Sequence, residues 1–487
     1  MAISIIVNIG TVGATITNVK IEESATLGGT YTVISGQTNV LVSSFPVTVT
    51  NVADTTTYIK ITDLGSCGDI QTLPIGSLPR PDAFQFKATS GDGSLGFAFD
   101  PTMWAAGEYD AQLVYAGTAR SPDDNTNTQD NATTIQPLQL PLKVAYNPLN
   151  NQTVSTGNDA TKELLWQIYT TNNDPLKFPG FSHAKFANTL TTPDIVWRYK
   201  DITNWGTIKF KYLRFGQIST TAGISPARDG FIISDTNYPD LTRCTDLSYC
   251  FSNCGTFNDN NVIGWDVSNV ENMTSMFKGL SAFDQDIGSW NMTGVTRTSS
   301  MFAGASAFNQ DMSSWVLSNL ETPSGSGFEI VNGMFNNATA FNNGYSAGNS
   351  TAANSLNSWK DYFANQLSLS TMFSGATAFN SNITEWDVSS VQIFNYMFYN
   401  ATNFNQDLSD WDFSAATDMS GMFQSSGMSS TNYGLFLQRC AALGAANNLQ
   451  SNVSLGASGV QYPAGALTAR NYLVNTKSWT INDSGQQ

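Results

Sequence analysis

The sequence predicts a multidomain chain: an all-β N-terminal part built as immunoglobulin-like sandwiches, followed by an α/β solenoid with terminal caps. Two observations predict it. Runs of alternating apolar and polar residues recur at 3–9, 55–62, 108–115 and 138–146, with Gly and Pro between them, the period of half-buried strands. In the second half Trp265, Trp290, Trp315, Trp359, Trp386 and Trp411 recur, four of their five gaps being 25 to 27 residues and the fifth 44. Phenylalanines six residues apart repeat with them, as Phe251/Phe257, Phe277/Phe283, Phe302/Phe308, Phe335/Phe341, Phe373/Phe379 and Phe398/Phe404. A fixed period of this length is the mark of stacked repeats, each unable to bury its apolar face alone.

The elements follow in order. Residues 1–82 read as a first β-sandwich, suited to anchoring, and 83–148 as a second, with the Pro-rich stretch 73–81 near their junction. Residues 147–160 are polar and linker-like. The span 149–240 therefore reads as linker and N-terminal cap, carrying Trp166, Trp197 and Trp205 over the open end of the repeats. The solenoid occupies 241–427. In the unit 265–289, Trp265 and Val267 are two apart and suit one face of a short strand. Val270, Met273 and Met276 are three apart and suit a helical or 3₁₀ turn behind it. The six tryptophans, with Phe277, Phe302, Phe335, Phe373 and Phe398, are expected to be repeat core rather than sugar platforms. Residues 428–487 read as a C-terminal cap, with helical spacing at 431–445 and 464–474 and a closing strand at 478–483.

Two insertions break the period, at 321–331 and 342–358. Insertions in stacked repeats become loops on one face, often the binding face. Removing 342–358 is expected to spare the fold and weaken binding.

The 487-residue chain carries a formal net charge of -16, with 12% charged, 41% hydrophobic and 12% aromatic residues. That composition disfavours disorder. Between 244 and 430 there are 16 Asp/Glu against 3 Lys/Arg, a balance of -13, which repels phosphate backbones and argues against nucleic acid as a partner. Arg198, Lys200, Lys209, Lys211 and Arg214 run the other way and read as a solvated strand face. No stretch is long and apolar enough for membrane insertion. The start reads as lacking a signal peptide, so a surface-type protein would reach the outside by another route, such as release within a virus particle. Cys244, Cys250 and Cys254 align with Val270, Met276 and Leu280 of the next repeat, so they read as small buried hydrophobes, and no metal site or cofactor is expected.

The repeat WDVSNVxNMxxMFxGAxxFNQDxSxW resembles the BspA-like leucine-rich-repeat family of bacterial surface proteins. The likeness is clearest in 265–315 and 386–423, with Asn309-Gln310-Asp311 and Asn405-Gln406-Asp407 retained. The tail from Tyr462 through Ala469-Arg470, Leu473 and Trp479-Thr480-Ile481 is similar to segments that follow such repeats. The resemblance implies a leucine-rich-repeat-like solenoid, a role in adhesion and no catalytic residues.

Together these readings point to a non-enzymatic virion structural protein of a bacteriophage, a tail or head fibre on the virion exterior. Its N-terminal β domains would bind other virion proteins, and its solenoid a host surface glycan or protein. The alternative is a bacterial cell-surface adhesin, and a weaker one a polysaccharide depolymerase spike. A homotrimer is common for fibres, though no coiled-coil heptad supports one here. His183, the one histidine, has no partner motif for acid–base work. Asp286, Asp311 and Asp407 recur, which suits turns better than a unique catalytic acid or a calcium ladder. The binding candidates are Tyr345 in the longer insertion and the outward acids Asp266, Glu385, Asp387, Asp410 and Asp412, beside Ser289, Ser313, Ser314 and Thr384.

Overall fold

The computed structural model describes the backbone of the strands between Ile3 and Asn204, and describes residues 201–216, 232–322 and 330–487 with their side chains. The linker at 147–160, His183, the side-chain packing of the expected sandwiches, and the 323–329 part of the first insertion lie outside the described residues. The chain divides into two compact units, the first holding most of the sequence up to Asp240 and the second Leu241–Gln487 with Lys211–Phe231.

In the first unit the strands pair mostly antiparallel. Ile3–Val7 pairs with Val47–Val52. Asn18–Ser24 lies between Thr32–Val33 and Tyr58–Asp63, and Ile70–Pro74 follows on the far side. A second sheet runs in the order Ile232–Ile233, Trp197–Asn204, Phe84–Ser90, Glu163–Thr170, Ala111–Ala116. This sheet joins strands on both sides of the 148/149 boundary expected from sequence. Glu163–Thr170 inserts between strands that precede it by more than 40 residues, a pairing that local alternation does not encode.

The second unit is built of stacked coils that use few regular elements. Trp265 and Val267 are buried but do not lie in a strand. The coil-to-coil hydrogen bonds run instead through the Met-rich segment that follows. The N–H groups of Met273, Ser275, Phe277 and Gly279 reach the carbonyls of Arg297, Ser299, Met301 and Ala303 at 2.7–2.9 Å. Within the coil, Met276 N–H returns to Met273 O and Leu280 N–H to Phe277 O. Each of these tight turns has a left-handed residue at its third position, Ser275 (φ 56°) and Gly279 (φ 74°), as a type II turn requires. The pair recurs at Ser300/Gly304, Gly333/Asn337, Thr371/Gly375, Tyr396/Asn400 and Gly421/Ser425. A left-handed residue at every fourth position prevents a continuous strand, so the ladder appears as isolated parallel bridges such as Asn272–Arg297 and Ile393–Asp418. Regular helix within the coils is limited, among the described residues, to the 3₁₀ turns Asn260–Gly264 and Asn357–Trp359.

Such strained turns cost about 1 kcal/mol or more per non-glycine residue, and the core offsets this. One phenylalanine column runs from Phe251 through Phe277, Phe302, Phe335, Phe373 and Phe398 to Phe423, with ring centroids 5.5–6.0 Å apart. A second runs from Phe257 to Phe404. Within each coil the two rings stack at 3.7–4.2 Å. Each buried ring contributes about 2–3 kcal/mol by burial alone. The indole N–H groups of Trp290, Trp315, Trp359, Trp386 and Trp411 donate to the carbonyls of Val262, Ile287, Met312, Leu356 and Ile383 in the preceding coil at 2.9–3.1 Å. The repeated tryptophan thus fills the core and leaves no buried donor unpaired.

Helix α1 (Ser430–Ala445) follows Phe423, the last ring of the first column. Ser429 caps it by accepting from Asn432 N–H, and Tyr433, Phe436, Leu437, Cys440 and Leu443 bury one face. Helix α2 (Leu467–Asn475) packs beside it. The strands Asp418–Met419, Ser454–Ala457 and Thr480–Asp483 form a parallel sheet that carries the ladder onward. Arg470 makes two bonds to the buried Asp483 carboxylate, and Tyr433 Oη donates to it.

Candidate functional site

The recurrent polar residues are absorbed by the stack. Asn258 Oδ1 accepts the N–H of Asp284, Asp284 that of Asn309, Asn309 that of Asn342, Asn342 that of Asn380, Asn380 that of Asn405, and Asn405 that of Ser429, all at 2.7–2.9 Å. The next residue reaches back: Gln285, Gln310 and Gln406 each donate Nε2 to both the carbonyl and the side-chain oxygen of the residue below. The third residue of the motif turns the chain. Asp286, Asp311 and Asp407 accept the N–H two residues on. Each member of the Asn-Gln-Asp triplet therefore has a structural task, and among the described residues no cluster of His, Cys, Asp and Glu is arranged to hold a metal ion.

The acidic candidates divide along the tryptophan edge. Asp266, Asp387 and Asp412 each accept the backbone N–H two residues on, at 2.9–3.1 Å. Asp387 and Asp412 occupy the same position in adjacent coils. Three coils separate Asp266 from them, with Asn291, Val316 and Lys360 at the intervening positions. Glu385 accepts from Asn357 Nδ2 at 3.2 Å and lies 4.0 Å from the exposed Lys360 ammonium, a pair worth little at the surface. Asp410 is exposed. Ser314, in contrast, donates to Gly288 O, and Thr384 donates to Asn382 Oδ1, so the neighbouring hydroxyls also serve the coils.

The longer insertion is stitched to the stack. Asn342 and Asn343 are buried. Asn342 accepts from Asn380 N–H and Ser381 Oγ, and donates to the carbonyls of Ser346 and Asn349. Asn343 Oδ1 accepts from Met312 N–H. Buried Asn354 donates to Asn349 O, and Gly348 N–H reaches Ala378 O. Removing 342–358 would break the asparagine ladder and these ties. The expectation that the whole segment is dispensable for folding is therefore revised, and only its outer turn, 350–353, makes none of these ties to the coils.

Where this insertion meets the coils it forms an open groove of about 440 Å³, lined by Tyr345, Ser346 and Ala347 on one side and Thr339, Thr377 and Asn403 among the residues opposite. Tyr345 is half-buried, held by Asn309 Nδ2 donating to its carbonyl. Thr339 and Thr377 in the opposite wall belong to a hydroxyl column that runs past the groove: Ser306 donates to Ser281 O, Thr339 to Ser306 O, Thr377 to Thr339 O and Thr402 to Thr377 O. Each hydroxyl spends its proton on the coil below and keeps lone pairs to accept. No lining residue is charged. The groove therefore suits an uncharged ligand rich in hydrogen-bond donors. Tyr345 was legible from sequence as an aromatic in an insertion. Thr339, Thr377 and Asn403 were not singled out, although the Ser/Thr recurrence at 281, 306, 339, 377 and 402 carries the signal.

The cysteines Cys244, Cys250, Cys254 and Cys440 are free and buried. Burial pushes the Cys244 thiol up to about 12 and raises Cys250 and Cys440 as well, so these three are not poised nucleophiles.

Two overlapping stretches, 227–347 and 331–436, match the family described as Mycoplasma protein of unknown function, DUF285. The matched residues span the stacked coils, which supports reading these coils as BspA-like repeats. No curated protein and no solved structure matches it. Among the described residues, no helix is long and apolar enough to cross a membrane.

Proposed function

We propose that this is a non-catalytic attachment protein. Its coils form a leucine-rich-repeat-like solenoid, and the groove beside Tyr345 is its recognition site. The observation that carries this reading is the uncharged, acceptor-rich groove at the place where an insertion interrupts the repeat. The repeated carboxylates are committed to turns and ladders, which argues against the calcium and depolymerase readings. In the finer form of the proposal the chain is a bacteriophage fibre protein on the virion exterior. The β-rich first unit would dock to other virion proteins and the repeats would face the host. The second reading, a bacterial cell-surface adhesin, is favoured by the match to a family described from Mycoplasma.

Immunogold electron microscopy with antibody against residues 241–487 tests the two. Label on discrete projections of purified particles supports the fibre reading. Label confined to cell envelopes overturns it in favour of the adhesin. Loss of viscosity when the chain is incubated with capsular polysaccharide would overturn the non-catalytic assignment.

A further inference from the structure

A second departure from the repeat lies on the turn ladder. The first left-handed position of the ladder is filled by Ser275, Ser300, Gly333, Thr371 and Gly421 in five coils and by tyrosine in two, Tyr249 (φ 59°), followed three residues on by Ser252, and Tyr396 (φ 55°). A bulky side chain is a rare occupant of that backbone region, and such strain clusters at sites of recognition. Packing does not require the ring there: Tyr396 is 43% exposed. Three residues on, where other coils carry Lys278, Ala303, Asn336, Ser374 and Gln424, stands Tyr399. The two rings meet edge to face, with centroids 5.7 Å apart and planes at 79°. They form an aromatic corner. Gly421 lies beside it: a Cβ there would come within 2.5 Å of two Tyr396 ring carbons, so a side chain at 421 would displace the ring.

Backbone bonds set the surroundings. Thr371 N–H reaches Asn395 O, Gly375 N–H reaches Tyr399 O, and Asn400 N–H reaches Gln424 O. Thr371 and Ser374 therefore flank the corner from the coil below, and Gln424 and Ser425 from the coil above. None of these carries a charge. An exposed phenol ring set perpendicular to a half-buried one, ringed by neutral hydroxyls and amides, offers an apolar face for C–H groups and hydrogen bonds at its rim. We propose that Tyr396 and Tyr399 form a stacking site for a neutral pyranose ring, distinct in its residues from the groove beside Tyr345.

The test uses the full chain and saturation-transfer NMR with the methyl glycosides of glucose, galactose, mannose and N-acetylglucosamine, with a decaproline peptide as the competing chemistry. Tyr396→Ser copies Ser275 and Ser300, and Tyr399→Ala copies Ala303, so both variants use residues the coils already accommodate. At least one glycoside is expected to bind, and each variant to bind it about tenfold more weakly or worse, with an unchanged melting curve. Tyr345→Ala is expected to leave this binding intact; its effect on attachment tests the groove separately. The proposal is overturned if none of the four glycosides binds, if binding survives both tyrosine substitutions, or if only the proline peptide binds.

Discussion

The tryptophan edge and the insertion groove hold residues of similar chemistry put to different ends. At the edge Asp266, Asp387 and Asp412 look outward, yet each closes a turn on the N–H two residues ahead. In the groove Tyr345, Thr339 and Thr377 occupy positions where the coils have already satisfied their backbone needs, so hydroxyl lone pairs remain for a ligand. The lesson is that a residue recurring in register builds the stack. Recognition is sought where the register is broken.

The largest expected effect falls on the repeated core. Trp315→Ala removes a fully buried indole and its bond to Ile287 O. We expect a loss of about 3–5 kcal/mol in unfolding of the repeat unit, read by urea titration. A loss under about 1 kcal/mol would mean that the column does not hold the coils together. The ladder comes next. Asn342→Ala strips the acceptor from Asn380 N–H and Ser381 Oγ in a buried setting and should cost about 2 kcal/mol or more. Asn258→Ala, at the exposed end of the same ladder, should cost about 0.5 kcal/mol. Equal effects from the two would remove burial as the cause. The thiols give a probe without mutation. With Cys244 pushed up to about 12 by burial, almost no thiolate forms at pH 8, so Cys244 and Cys440 should resist iodoacetamide until urea unfolds the unit. The smallest effect belongs to the acidic edge: Asp387→Asn preserves the turn acceptor and should change stability by less than about 0.5 kcal/mol.

The sequence carried the period, the core columns and the insertions, because a buried aromatic must recur wherever the coil does. It did not carry the path of the backbone. Val270, Met273 and Met276 at spacing three fit a helical turn, but Ser275 and Gly279 take left-handed angles and make two tight turns instead. Serine at such an angle has no signature of its own and is forced by the neighbouring coil. The placement of Glu163–Thr170 between Phe84–Ser90 and Ala111–Ala116 is likewise a long-range choice that alternation alone leaves open. At the groove, Tyr345 was visible as an aromatic in an insertion. Thr339 and Thr377 looked like ordinary repeat hydroxyls until the insertion was seen to fold against them.

The most direct test of the account compares attachment of three forms of the full chain to cells from its source: wild type, Tyr345→Ala, and Asp387→Asn with Asp412→Asn. The account predicts that Tyr345→Ala binds about tenfold more weakly or worse, while the double acidic variant stays within about twofold of wild type. Unchanged attachment by Tyr345→Ala together with loss in the acidic variant would contradict it and return recognition to the tryptophan edge.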